Sequence, residues 1–142
     1  MGTAMYDALD DMQALIKDKW GSSSGAGSFP EVEIVWERKV VGLGDYTRDT
    51  ILLTPKRENV EYFGLYGSDF LHHVDIQIEI WSYMSQDRLN NMVKEVTKII
   101  KDNIRRTNFV DLMITGSLSA SDTYRNIWKH TLTAKYRKLN PV

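Results

Sequence analysis

The chain contains no cysteine. That removes disulfides, thiolate metal ligands and cysteine nucleophiles together, and it fits a reducing compartment. Histidine and proline are scarce, at three residues each. No apolar run approaches the roughly 18 residues that a transmembrane helix needs. The formal net charge is only −1, so the chain lacks the cationic excess on which non-specific nucleic-acid binding rests. The N-terminus, MGTAMYDALDDM, has neither the basic start nor the apolar centre of a secretory signal. Tyr6 stands where N-myristoylation at Gly2 would need Ser or Thr.

Enzyme signatures are missing as well. GLGDY holds a G-x-G with no third glycine and no helix opening after it, so it is not a dinucleotide fingerprint. There is no Walker loop, no G-x-S-x-G and no H-E-x-x-H. His72, His73 and Asp75 form the one tempting metal cluster, yet a stable site usually gathers three or four convergent ligands. The expectation is no metal, no cofactor and no catalysis. Paired acids such as Glu31 with Glu33, or Asp75 with Glu79, read as the wet side of strands. A catalytic pair would need one member desolvated to raise its pKa.

What is present is periodicity. With 142 residues, 42% hydrophobic and 26% charged, the chain suits one soluble domain spanning 1–142. In residues 3–20 Met5, Leu9, Met12, Ile16 and Trp20 recur at helical spacing, with Asp7, Asp10, Asp11, Lys17 and Asp18 on the wet side. Thr3 is a candidate N-cap. GSSSGAGSFP, residues 21–30, has the composition of a flexible linker. EVEIVWERKVV, residues 31–41, sets Val32, Ile34 and Trp36 against Glu31, Glu33 and Glu37, as a half-buried strand does. TILLTP, residues 50–55, reads as a second strand that would close a long hairpin with the first. Residues 56–71 look irregular: a loop over the core, or a contact surface formed by Tyr62, Phe63, Leu65, Tyr66 and Phe70.

HHVDIQIEIWS, residues 72–82, then alternates without fault. Val74, Ile76, Ile78 and Ile80 take one side; His73, Asp75, Gln77 and Glu79 take the other. A helix over 85–103 follows, with Leu89, Met92, Val93, Val96, Ile99 and Ile100 on one face and Ser85 as its cap. FVDLMIT, residues 109–115, and RNIWKHTLTAKYRKL, residues 125–139, complete the order α-β-β-β-α-β-β. That order implies an α+β domain with an antiparallel or mixed sheet of four or five strands and two amphipathic helices. Lys129 and Lys135, with Arg105, Arg106, Arg125, Arg137 and Lys138 nearby, outline a nucleic-acid surface. However, Trp128 and Tyr136 alternate away from the lysines, whereas single-strand binding needs both on one side. Cross-strand pairing with acids is the expected task of Lys129 and Lys135.

The whole arrangement, with V-x-I-x-I-x-I-W-S leading into an amphipathic helix as its most telling stretch, resembles the tail terminator or tail-completion (head–tail joining) proteins of tailed bacteriophages and archaeal tailed viruses. The resemblance implies a ring-forming structural subunit, typically in a hexamer. Such a ring caps the tail tube at the tail–neck junction of the virion, meets tail tube protein and a neck or connector protein, and is assembled in the host cytoplasm. Genomic DNA passes through it without specific binding, and no membrane is involved. In such a ring Glu31, Glu33, Asp75 and Glu79 are candidate lumen-facing acids; the 56–71 segment, with the contact candidates Tyr62, Phe63, Leu65, Tyr66 and Phe70, is longer than the family pattern and leaves partner geometry open. The alternatives are another neck component, a stopper or connector, or a non-viral α+β module that binds a ligand or nucleic acid.

Overall fold

The structure, a computed structural model, describes residues 3–23, 25–36, 48–63, 69–122 and 127–139. Seven elements follow one another: α1 (Thr3–Lys19), β1 (Glu31–Ile34), β2 (Thr50–Phe63), β3 (Asp69–Ser82), α2 (Gln86–Asp102), β4 (Asp111–Ser119) and β5 (Trp128–Leu139). The strands form one mixed sheet in the order β1-β2-β3-β5-β4. The α+β order expected from periodicity is the one observed.

β3 is central because its alternation is unbroken. Val74, Ile76, Ile78 and Ile80 are fully buried on one face, and they face Leu53 and Ile51 of β2 and Ala134 and Leu132 of β5 in register. Both helices cover this face. Met5, Leu9, Met12 and Ile16 of α1 and Leu89, Met92, Val96, Ile99 and Ile100 of α2 join the strands in a single core. Each such side chain contributes on the order of 1.5–3 kcal/mol when taken from water. Ser85 caps α2, its hydroxyl accepting from the Arg88 N–H at 3.1 Å. Thr3 is already the first helical residue of α1, so the capping position falls on residue 2, outside the described residues.

Two expectations are corrected. β1 does not fold back on β2 as a hairpin: it runs parallel to it, Glu31 opposite Thr50 and Ile34 opposite Leu53. A two-residue hairpin joins only antiparallel strands, so alternation alone could not place β1; of the expected strand, residues 37–41 lie outside the described residues. Nor are residues 56–63 and 69–71 a loop. β2 continues to Phe63 and pairs with β3 as far as Phe63 opposite Asp69. Glycines at 64 and 67 and mixed polarity hid this, since the strand is exposed on both sides and lacks clean alternation.

The Gly/Ser linker is held by one carboxylate. Glu95 of α2 is fully buried; its Oε1 accepts from the Gly21 and Ser22 N–H groups at 3.0 and 2.8 Å and from the Ser22 hydroxyl at 2.7 Å. Its Oε2 takes the Ser23 N–H at 3.0 Å and the Ser23 hydroxyl. Successive N–H groups converging on an anion form a nest, and Gly21 reaches it at φ 98°. Arg88 fastens the far end, donating to the carbonyls of Ala26 and Ser28 and to Asp49 Oδ2. Its guanidinium lies where a Cβ on Gly27 would project. Composition suggested a mobile tether; partners on α2 make it a fitted strap.

A second network ties α1 to the opposite end. Asp11 takes a bidentate pair from Arg106 Nε and Nη2, both at 2.9 Å, and the Tyr136 hydroxyl at 2.7 Å. Burial, then the adjacent Asp11 carboxylate, push the Tyr136 phenol well above its ordinary value, while the bond to Asp11 raises Arg106. Asp11 therefore belongs to this network and not to the wet face.

Two stability measurements follow. Burial would raise the Glu95 carboxyl, but the bonds from Ser23 and Ser22 prevail and hold it below its ordinary 4.5. The ionised group's stabilisation is therefore complete above that value and is lost as pH falls through the depressed one. Urea titration of Glu95→Ala at pH 7 should show a loss of about 2–3 kcal/mol from orphaned donors, with the gap to wild type narrowing below pH 4.5. Asp11→Ala should cost about 2–3 kcal/mol and Tyr136→Phe about 1 kcal/mol, because Arg106 still holds Asp11 in the latter. Equal losses would show that the tyrosine dominates.

Candidate assembly surfaces

The two faces of the sheet differ in kind. The face away from the helices carries Glu31, Glu33, Asp75 and Glu79, brought together because Glu33, Leu52, Glu79 and Thr131 form one row and Asp75 lies further along β3. They do not make an unbroken acidic surface. Glu31 pairs with Arg48 at 2.7 Å, Glu79 with Lys129 at 3.3 Å and Asp75 with Arg57 at 3.1 Å. Asp111 receives Arg137, with Nε at 2.7 Å. Lys129 also sits over the Trp81 ring at 4.8 Å. Pairing of Lys129 with a cross-strand acid is thus observed. Desolvation is marked at Asp75, which is 3% exposed although its strand position suggested a wet carboxylate.

Three more of the cations considered for nucleic acid are spent in the same way. Arg106 holds Asp11, Arg137 holds Asp111, and Lys138 holds Asp7 at 2.7 Å. Tyr136 is fully buried and Trp128 packs against the core. Neither ring offers a face for stacking bases. Arg125 lies outside the described residues.

His72 and His73 point to opposite faces, as neighbours in a strand must. His72 Nδ1 lies 3.1 Å from Glu58 Oε1 and His73 Nε2 lies 2.9 Å from Glu61 Oε2. They cannot converge with Asp75 on one ion. Among the described residues no group of three or more His, Asp or Glu side chains is placed to hold a metal. His130 contacts the Ser117 hydroxyl at 2.6 Å, a spacing that suits a base and a nucleophile. No carboxylate pairs with its ring among the described residues, and burial lowers the His130 pKa.

Of the aromatic contact candidates, Tyr62 and Phe70 meet edge to face, 6.0 Å between centroids, at the far end of the β2–β3 hairpin. Tyr62 is 70% exposed and Val60 42%. Phe63 closes β2. Leu65 and Tyr66 lie outside the described residues. Since β1 stops opposite Leu53, the β2 edge beyond Thr54 has no strand beside it among the described residues. At the other end of the sheet an open groove of about 520 Å3 is lined by Phe29, Pro30, Val32, Tyr83 and Met84, with Lys17 and Arg48 at its rim. Phe29, Tyr83 and Met84 are each about half exposed. Exposed aromatics at both ends of the same strands are the features that sequence reading caught only at 62–70. Phe29, Tyr83 and Met84 escaped notice because they are isolated in sequence and meet only in the fold.

No helix among the described residues is long and apolar enough to cross a membrane. No family model matches the chain, and no curated protein matches it significantly.

Adding zinc to the purified protein should leave its melting temperature unchanged, because His72 and His73 are separated by the sheet. A saturable rise would show ligands gathering that the strand geometry holds apart.

Proposed function

We propose that this chain is a structural subunit that works by packing against copies of itself, and that its ring is a tail terminator of a tailed virus, closing the tail tube at the neck of the virion. The observation that carries the reading is the β2 edge from Pro55 to Tyr62, which has no strand beside it among the described residues and ends in the Tyr62–Phe70 pair. A strand edge of this length is a template for another chain unless something covers it. The sheet's opposite edge is β4, so a contact between β2 of one copy and β4 of the next is heterologous. Repetition of such a contact closes a ring when the rotation permits. Charges along β2, including Lys56, Arg57, Glu58 and Glu61, restrict the edge to a matched partner and discourage indiscriminate pairing.

Catalysis has no part in this reading. The polar face carrying Glu31, Glu33, Asp75 and Glu79 is turned to the lumen, and its matched ion pairs offer passing phosphodiesters neither strong attraction nor strong repulsion. Screening over about 8 Å weakens what remains.

The double variant Val60→Ser, Tyr62→Ser tests the reading, since both side chains are exposed and their loss should leave the melting temperature within about 2 °C of wild type. Sedimentation at rising concentration, with and without tail tubes, should show wild-type rings that bind tube ends and halt tube growth. The variant should remain monomeric and let tubes elongate. Rings that ignore tube ends would point to a stopper or connector. A wild-type monomer that leaves tube growth untouched would defeat the proposal.

A further inference from the structure

Among the described residues much of the helix-free face is charge-matched, and one recess departs from this. A recess of about 260 Å3 opens there between Lys56, Arg57, Asp75, Thr115, Thr133 and Lys135, with Gly116 at its wall. Three cations thus meet one carboxylate. Lys135 lies opposite Asp75 in register but forms no ion pair among the described residues. Lys56 makes only a long bond, 3.4 Å, to the Thr133 hydroxyl.

The backbone is shaped around this spot from both sides. β2 slips register between Pro55 and Arg57, and β4 slips between Ile114 and Gly116. Bulges re-aim side chains and interrupt pairing. Here the slipped residues are Lys56 and Thr115, and both line the recess. Gly116 adds room: a Cβ there would meet Thr133 at 3.5 Å, an ordinary contact, so the hollow beside it is not demanded by crowding.

Asp75 supplies the last clue. Arg57 donates to its Oδ2 from Nε and Nη2, at 3.2 and 3.1 Å. Oδ1 is buried with no hydrogen-bond partner among the described residues. An orphaned acceptor of this kind is costly unless something completes it. The recess therefore lacks acceptors for its lysines and a donor for its carboxylate.

We infer that this recess is a binding site for a phosphate group that still carries a proton, as inorganic phosphate or a phosphate monoester. Its oxygens accept from Lys56, Lys135, the free Arg57 N–H groups and the threonine hydroxyls. Its P–OH donates to Asp75 Oδ1, which is closed to solvent here, so binding requires the flexible Arg57 and lysine side chains beside it to shift. Monoesters have a second pKa near 6 and keep such a proton readily beside a carboxylate. A phosphodiester has none to give, so DNA is a poor ligand here. The inference stands apart from the ring reading, since a monomer carries the whole recess.

Calorimetry on the full chain at pH 6.5 and fixed ionic strength decides it, with inorganic phosphate as the probe. Wild type should give a saturable one-site isotherm. Lys135→Met, which keeps the methylene stem and breaks no ion pair, should weaken binding about tenfold, the usual scale of one charge-assisted bond. Gly116→Val should fill the recess and abolish the heat. Sulfate, which has no proton at this pH, and a DNA oligonucleotide at equal phosphate concentration should bind at least tenfold more weakly. No heat with phosphate, equal binding of sulfate or DNA, or undiminished binding by Lys135→Met would each overturn the assignment.

Discussion

One constraint governs this molecule: a five-stranded sheet has two faces, and its two helices cover only one. On the covered face the problem is solved by apolar burial, with Val74, Ile76, Ile78 and Ile80 meeting α1 and α2. Among the described residues the bare face has no second layer. It carries charges opposed across the strands, among them Glu31 with Arg48, Glu79 with Lys129 and Asp111 with Arg137. The most solvent-facing of these, Glu31 with Arg48, contributes little to stability. The larger effect of these pairs is to set how the face presents itself to other molecules.

The same asymmetry explains the tethering of the helices. α1 contributes much of the core but is joined to the sheet through a segment rich in glycine and serine. Burying its apolar stripe is not enough to set the path of that segment, because hydrophobic contact is non-directional. Direction comes from two acids, the fully buried Glu95 under the strap and the partly buried Asp11 of α1 against Arg106 and Tyr136. Each satisfies several donors at once, and each would leave those donors stranded if removed.

Functionally, the surface divides by geometry. The exposed β2 edge with Tyr62, and the groove rimmed by Phe29, Tyr83 and Met84, lie at opposite ends of the same strands. The recess at Asp75 sits between them on the charged face, where double bulges open space that regular pairing would close.

Period-two and period-3.6 patterns were legible residue by residue. They identified β3, α2 and α1, the core stripe and the Ser85 cap, because each depends on neighbours within a few positions. The extended β2 was not legible, since a strand wet on both sides has no alternation to show. The parallel seating of β1 was hidden as well: alternation reveals a face and says nothing about direction. Glu95 looked like one more polar residue on a helix, and Asp75 like one more wet acid. Their burial arises from chain segments some 70 and 18 residues away respectively, which bring Ser22 to Glu95 and Arg57 to Asp75. Contacts at such separations belong to the folded molecule, because only closure of the sheet and strap puts the partners within hydrogen-bond reach.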